Sequence, residues 1–142
     1  MTDPQNLDDE LARVPLLASL SRRQRGRLLA GSQVVEHPAG REVTAEGAGA
    51  IALHVVLDGR ANVSVRGRAV RTLGPGEYFG EISMIDGKPR SATVTASEGL
   101  RTLYVPHAAF TGLVENDATV AKELLVALCG RIRQIDAEAH SD

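Results

Sequence analysis

Phe79-Gly80-Glu81-Ile82-Ser83-Met84-Ile85-Asp86-Gly87-Lys88-Pro89-Arg90-Ser91-Ala92-Thr93-Val94 joins a Gly-rich turn to an alternating strand. Its apolar residues read as core, yet it also carries a glutamate, an arginine and two serines. Such groups add little to the stability of a small β domain. Gly80 lacks a Cβ, so backbone can approach a ligand there. One helical turn over 80–84 would present free N–H groups to an anion. Glu81 stands among Phe79, Ile82 and Met84, and sugar hydroxyls are natural donors to such a carboxylate. Arg90, nine residues on and fixed by Pro89, offers a planar fork that matches two phosphate oxygens. Ser91 and the Ala92 N–H can add donors. Two readings stay open from the residues alone: a Glu81–Arg90 pair across a turn, or a pocket for a small anion bearing hydroxyls.

On both sides of this stretch the pattern is that of short strands. Val34–His37, Arg41–Ala45, Ile51–Leu57, Arg60–Val65, Arg68–Leu73, Arg90–Ala96 and Leu100–Val105 are separated by turn residues. Asp58-Gly59 has the composition of a hairpin turn, and Gly67 marks another. About eight strands, with turns roughly every eight to twelve residues, predict an all-β barrel or sandwich rather than βαβ units. Ala92, Val94 and Ala96 should share one face.

Both ends are helical in pattern. Leu7, Leu11 and Val14 predict a helix over 3–18, with Asp3 as cap and Pro15 ending or bending it. Ser21-Arg22-Arg23-Gln24 has the spacing of a capping box, and Gly31 suits the end of the helix it opens. Beyond Pro106 a short helix is expected around Phe110 and Leu113. Asn116-Asp117 then caps a longer one over 118–138. Ala121, Leu125, Leu128, Ile132 and Ile135 on it form an a/d seam. Val120, Leu124 and Ala127 form a second stripe that could face the β domain. Two stripes fit either a wide groove of the chain's own domain or a dimer helix or mobile lid.

Composition narrows the function. With 142 residues the chain suits one domain. The core must be aliphatic, since there is no Trp and only two Phe and two Tyr. A formal charge of −2 argues against direct nucleic-acid binding. The basic run Arg22-Arg23-Gln24-Arg25-Gly26-Arg27 reads as a solvated helix face, with a partner or lipid contact as the minority reading. Cys129 is the single cysteine. Its neighbours Leu125, Leu128 and Ile132 predict a buried thiol acting as a small apolar residue. His37, His54, His107 and His140 are scattered and form no H-x-H pair, so no metal site and no cupin-type enzyme is expected. No signal-peptide core or apolar run of spanning length is present, and a cytoplasmic, membrane-free protein is expected.

Phe79-Gly80-Glu81-Ile82-Ser83 followed by Pro89-Arg90-Ser91-Ala92-Thr93-Val94 resembles the phosphate-binding cassette of the cyclic nucleotide-binding domain family. That family includes bacterial cAMP receptor proteins and the regulatory subunits of cAMP-dependent protein kinase. The likeness extends over about 10–138, through Leu16–Leu20, Asp58-Gly59 and Gly74-Pro75-Gly76-Glu77. It implies a mainly β, α+β fold: an eight-stranded antiparallel, jelly-roll-like β-roll with N-terminal helices, a short cassette helix and two C-terminal helices. The whole chain, 1–142, would be one such domain. Helices would fill about 1–31, the roll 32–105 with its cassette at 79–94, and the C-terminal helices 106–138.

The resemblance also implies roles. Glu81 would accept the ribose 2′-hydroxyl and Arg90 would bind the exocyclic phosphate oxygens. The N–H groups of Gly80 and Ala92, with the Ser91 hydroxyl, would complete the cage. Phe79, Ser83 and Val94 would line the same site, and Ile82 would couple it to the moving helices. The helix at 118–138 would be lid or dimer helix, with Arg133, Gln134, Ile135 and Asp136 against the purine. The expected ligand is cAMP before cGMP, with no further cofactor. Transcription factors of the family continue into a helix-turn-helix domain. This sequence ends at Asp142 without one, leaving a sensor module, stand-alone or cut from a larger chain, that acts on an unknown downstream protein. The alternative is a degenerate scaffold of the same fold that keeps only protein–protein contacts.

Overall fold

The computed structural model describes residues 4–14, 16–18, 20–44, 52–80 and 92–139. Two helices lead: α1 (Pro4–Ala12) and α2 (Arg22–Ala30). Eight strands follow among the described residues: β1 (Gln33–His37), β2 (Glu42–Thr44), β3 (Ala52–Asp58), β4 (Ala61–Val65), β5 (Arg68–Leu73), β6 (Tyr78–Phe79), β7 (Thr93–Ala96) and β8 (Leu100–Pro106). Then come α3 (His107–Asn116) and α4 (Ala118–Ala139). The strands form two four-stranded antiparallel sheets, ordered β1-β8-β3-β6 and β2-β7-β4-β5. This is the expected mainly β roll flanked by helices. The cassette helix and Asp3 lie outside the described residues.

The apolar run of β3 has a clear cause. Leu53 and Val55 face the helices and join a cluster with Leu11, Leu17, Leu28, Leu103, Phe110 and Leu124. Val56, of opposite parity, joins the roll's inner cluster with Ala61, Val63, Leu73, Phe79, Val94, Ala96 and Leu100. Both faces of the strand are covered, so its sequence cannot alternate. In β7 one face packs inward, and Val94 and Ala96 alternate with half-buried Thr93 and Thr95 as expected.

Four local expectations need correction. The first helix stops at Ala12 rather than running to residue 18. The residue before a proline is disfavoured in the α region, and Val14 precedes Pro15. Beyond the helix, short-range bonds from Val14 N to Leu11 O (3.0 Å), Leu17 N to Val14 O (2.9 Å) and Leu20 N to Leu17 O (3.1 Å) carry the chain. Leu7, Leu11 and Val14 are buried as predicted. Second, Asp58-Gly59 is no hairpin turn: β3 and β4 belong to different sheets, and the chain changes sheet at this point. The hairpin lies one step later, between β4 and β5, where Arg66 (φ 54°) and Gly67 (φ 77°) both take positive φ, the requirement of a tight two-residue turn. Third, the two-residue β6 has no periodicity to read and was not expected as a strand. Fourth, Cys129 is exposed. Leu125 and Ile132, one turn before and after it, are 63% and 59% exposed. Of the stripe that suggested a buried thiol, Leu125 and Ile132 therefore point outward and only Leu128 packs against the core.

Of the second stripe of α4, Val120 and Leu124 are buried in the helix-side cluster as expected, and the Ala127 side chain is outside the described set; Leu128, from the a/d seam, also packs against this cluster. The capping box of α2 forms: Gln24 N donates to Ser21 Oγ (3.1 Å) and Ser21 N to Gln24 Oε1 (2.7 Å). Gly31 ends the helix for a steric reason rather than a left-handed one. Its φ is −97°, and a Cβ added there would stand 3.2 Å from that of Ala109 in α3.

The basic run is only partly a solvated face. Arg22, Arg23 and Arg27 are exposed. Arg25 turns inward, donating from Nε to Asp8 Oδ1 (2.8 Å) and from an η nitrogen to Leu20 O (2.6 Å). The hydrogen-bonded Arg25 guanidinium holds the Asp8 carboxyl below the usual carboxylate range, against the opposing effect of burial. Asp8→Ala should cost about 2 kcal/mol at neutral pH, because it leaves a part-buried guanidinium without its acid. Since the folded-state value is lowered, the contribution is full above the unfolded carboxylate value of about 3.9. It is lost as pH falls through the folded value. Urea titrations of both proteins at pH 7 and pH 3 check this, with a difference that shrinks in acid.

Candidate functional site

The structure describes the two ends of the 79–94 stretch. Glu81, Ile82, Ser83, Arg90 and Ser91 lie outside the described residues. On the near side Phe79 is 4% exposed and fixed in β6, paired in register with His54 of β3. The two rings stack with centroids 4.7 Å apart and planes 4° from parallel. Tyr104 of β8 meets His54 edge-on at 5.4 Å. Three rings thus form a row across neighbouring strands and end on the residue before Gly80.

Gly80 has φ 92°, a conformation open to glycine and strained for residues with a Cβ. On the far side Val94 is buried and Ala92 packs against the cluster that holds Phe79. The structure therefore brings Phe79, Ala92 and Val94 together inside the roll, and Gly80, the last described residue on the near side, is left-handed.

Arg71 went unnoticed in the sequence. It stands in register opposite Val63, whose side chain belongs to the inner cluster. Paired residues of antiparallel strands share a face, so half-buried Arg71 is on the roll's inward side. Val70, which has no partner in β4, marks a bulge just beyond this pair. The run Arg68–Leu73 gives no hint of the bulge, and without it strand alternation would misplace Ala69 and Arg68.

The groups proposed against a purine lie on α4. Arg133 is exposed. Gln134, Ile135 and Asp136 fall within the helix, and their side chains are outside the described set.

Described residues line two clefts. One, lined by Glu36, His37, Asp58 and Arg101 among others, contains a buried histidine. His37 Nε2 lies 3.2 Å from Thr102 Oγ1, and burial, aided by Arg41, holds its pKa below the usual value. The other, about 360 Å³, runs between α2 and α3 up to Asp117. Among the described residues no helix is long and apolar enough to cross a membrane.

Two four-stranded antiparallel sheets with helices packed before and after them form a β-roll of the ligand-binding-domain type. The cyclic nucleotide-binding domain model matches residues 34–117, and the chain belongs to that family. It is 36% identical over 108 residues to a cAMP-dependent protein kinase regulatory subunit of Eremothecium gossypii, covering 75% of this chain and 24% of that protein. It is 30% identical over 125 residues to a cGMP-dependent protein kinase of Toxoplasma gondii, covering 88% and 11%. The Thermus thermophilus catabolite activator protein superposes with a TM-score of 0.77 at 30% identity, over 88% of this chain and 61% of that one. The chain thus spans a quarter or less of the two kinase-type relatives.

Proposed function

We propose that this chain is a cyclic-nucleotide-responsive regulatory module, with the nucleotide held by the 79–94 stretch. The observation that carries this is the anchoring of both ends of the loop: Phe79, Ala92 and Val94 in one cluster, with Gly80 at φ 92° between them and Glu81. Glu81 then takes the ribose hydroxyl. Arg90, Ser91 and the N–H groups of Gly80 and Ala92 take the phosphate, and no other cofactor is needed. Family membership and the kinase regulatory-subunit relative support the reading and favour cAMP.

A specific observation favours a second ligand. Arg71 on the inward face of β5 could meet the purine, and a guanidinium fits guanine O6 and N7 as a two-point donor where adenine offers a donor at C6. The relationship to a cGMP-dependent kinase agrees with this. Titration calorimetry with cAMP and cGMP in parallel decides both points. Saturable binding of at least one is expected, and no heat with either at millimolar concentration overturns the module reading. If Arg71 reads the base, Arg71→Ala lowers cGMP affinity by about 1–3 kcal/mol and leaves cAMP unchanged. An equal loss for both removes Arg71 from base recognition.

Signal output in this reading passes through α4. Its inner stripe is held by the domain, and Leu125, Val126 and Ile132 on its outer side are exposed. These could meet a second copy of the chain or a downstream protein, and sizing with and without nucleotide distinguishes the two.

A further inference from the structure

Gln24 uses every polar group it has. Its N–H and Oε1 close the capping box of α2 with Ser21. Its Nε2 donates to Asp117 Oδ2, 93 residues further along the chain. Asp117 is in turn the cap of α4: its Oδ1 accepts from Thr119 N (2.9 Å) and Val120 N (3.3 Å). One amide side chain therefore joins the caps of two helices remote in sequence. Both residues are half-buried, where a hydrogen bond to a carboxylate is worth more than on an open surface.

We propose that Gln24 is a positioning residue that locks the N-termini of α2 and α4 into one mechanical unit. Serine and glutamine at this spacing would cap α2 without Asp117, and aspartate would cap α4 without Gln24. The bond between them closes neither helix, and its effect is to tie the two together. The first turn of α4 is held at this point, and Val120 and Leu124 anchor the next turns in the core. Any displacement of the start of α4 must then carry α2 with it or break this bond. The latch concerns the unliganded fold and stands whether or not a nucleotide binds.

Gln24→Glu separates the two duties. A glutamate keeps the capping box with Ser21 but turns a carboxylate, instead of an amide donor, toward Asp117. Gln24→Glu combined with Asp117→Asn restores the bond with donor and acceptor exchanged, and an asparagine still caps α4. The test is amide hydrogen exchange by NMR on the unliganded full chain. In Q24E the amides of Thr119, Val120 and Ala121 should exchange about fivefold to tenfold faster, with those of α2 unchanged. The double variant should return them to within about twofold of the parent. Unchanged exchange in α4 for Q24E, an equal rise in α2, or failure of the double variant to restore protection would each overturn the latch.

Discussion

Gly59→Ala is expected to destabilise the fold by about 3–4 kcal/mol, seen as a lower urea midpoint with an unchanged slope and a melting temperature roughly 10 °C lower. Two costs combine. Gly59 has φ 86°, and a side chain in left-handed conformations costs about 1–2 kcal/mol. A Cβ there would also stand 2.0 Å from Gly99 O and 2.9 Å from Gly99 C. Those are backbone atoms at the entry to β8, so relief requires moving a strand, at a typical cost of about 1–3 kcal/mol. Three controls separate the terms. Gly40, Gly67 and Gly76 also have positive φ, at 87°, 77° and 89°, with nothing within 4 Å of an added Cβ. Alanine at those sites should cost only the conformational part. Gly99→Ala meets nothing within 4 Å and should be close to neutral. If Gly59→Ala behaves like Gly67→Ala, the close approach of the two backbones is not what the position requires.

Arg90→Ala is expected to weaken nucleotide binding by roughly 2–4 kcal/mol, a loss of about thirtyfold to several hundredfold, without changing the melting temperature of the free protein. The argument is chemical. A cyclic phosphate carries one negative charge and two exocyclic oxygens, and a guanidinium meets both with parallel N–H bonds that a lysine cannot reproduce. Arg90→Lys should therefore recover only part of the loss. Glu81→Gln should cost less, because an amide oxygen still accepts from a ribose hydroxyl and only charge assistance is lost. Equal affinities for parent and Arg90→Ala, by calorimetry, would take Arg90 out of the phosphate site.

The strand rhythm was legible because turn residues punctuate it, and the helix ends because serine, glutamine and aspartate cap by local chemistry. The capping bonds of Ser21, Gln24 and Asp117 reach no further than three residues, and such features survive in a single sequence. What did not survive was anything decided by a distant partner. Asp58-Gly59 has hairpin composition, but its glycine is demanded by Gly99, forty residues away. Arg25 sits in a run of exposed arginines and is singled out by Asp8. Cys129 lies between Leu125 and Ile132, which point outward, since a helix with two apolar stripes does not announce which one the domain takes. Within the site, the identity of the 79–94 stretch came from residue types at fixed spacing. Arg71 depended on its partner across the sheet, since an arginine in a strand reads as exposed until β5 pairs with β4 and sets it opposite Val63.

The outward position of Cys129 has a practical side. It is the only thiol in the chain and it projects from the exposed side of α4. A maleimide dye or nitroxide would therefore attach at a single point without any engineered cysteine. That point rides on the helix through which the nucleotide is proposed to act, on its outer side and beyond the turns anchored by Val120 and Leu124. The native chain already carries an attachment site for the probe that would follow its own rearrangement.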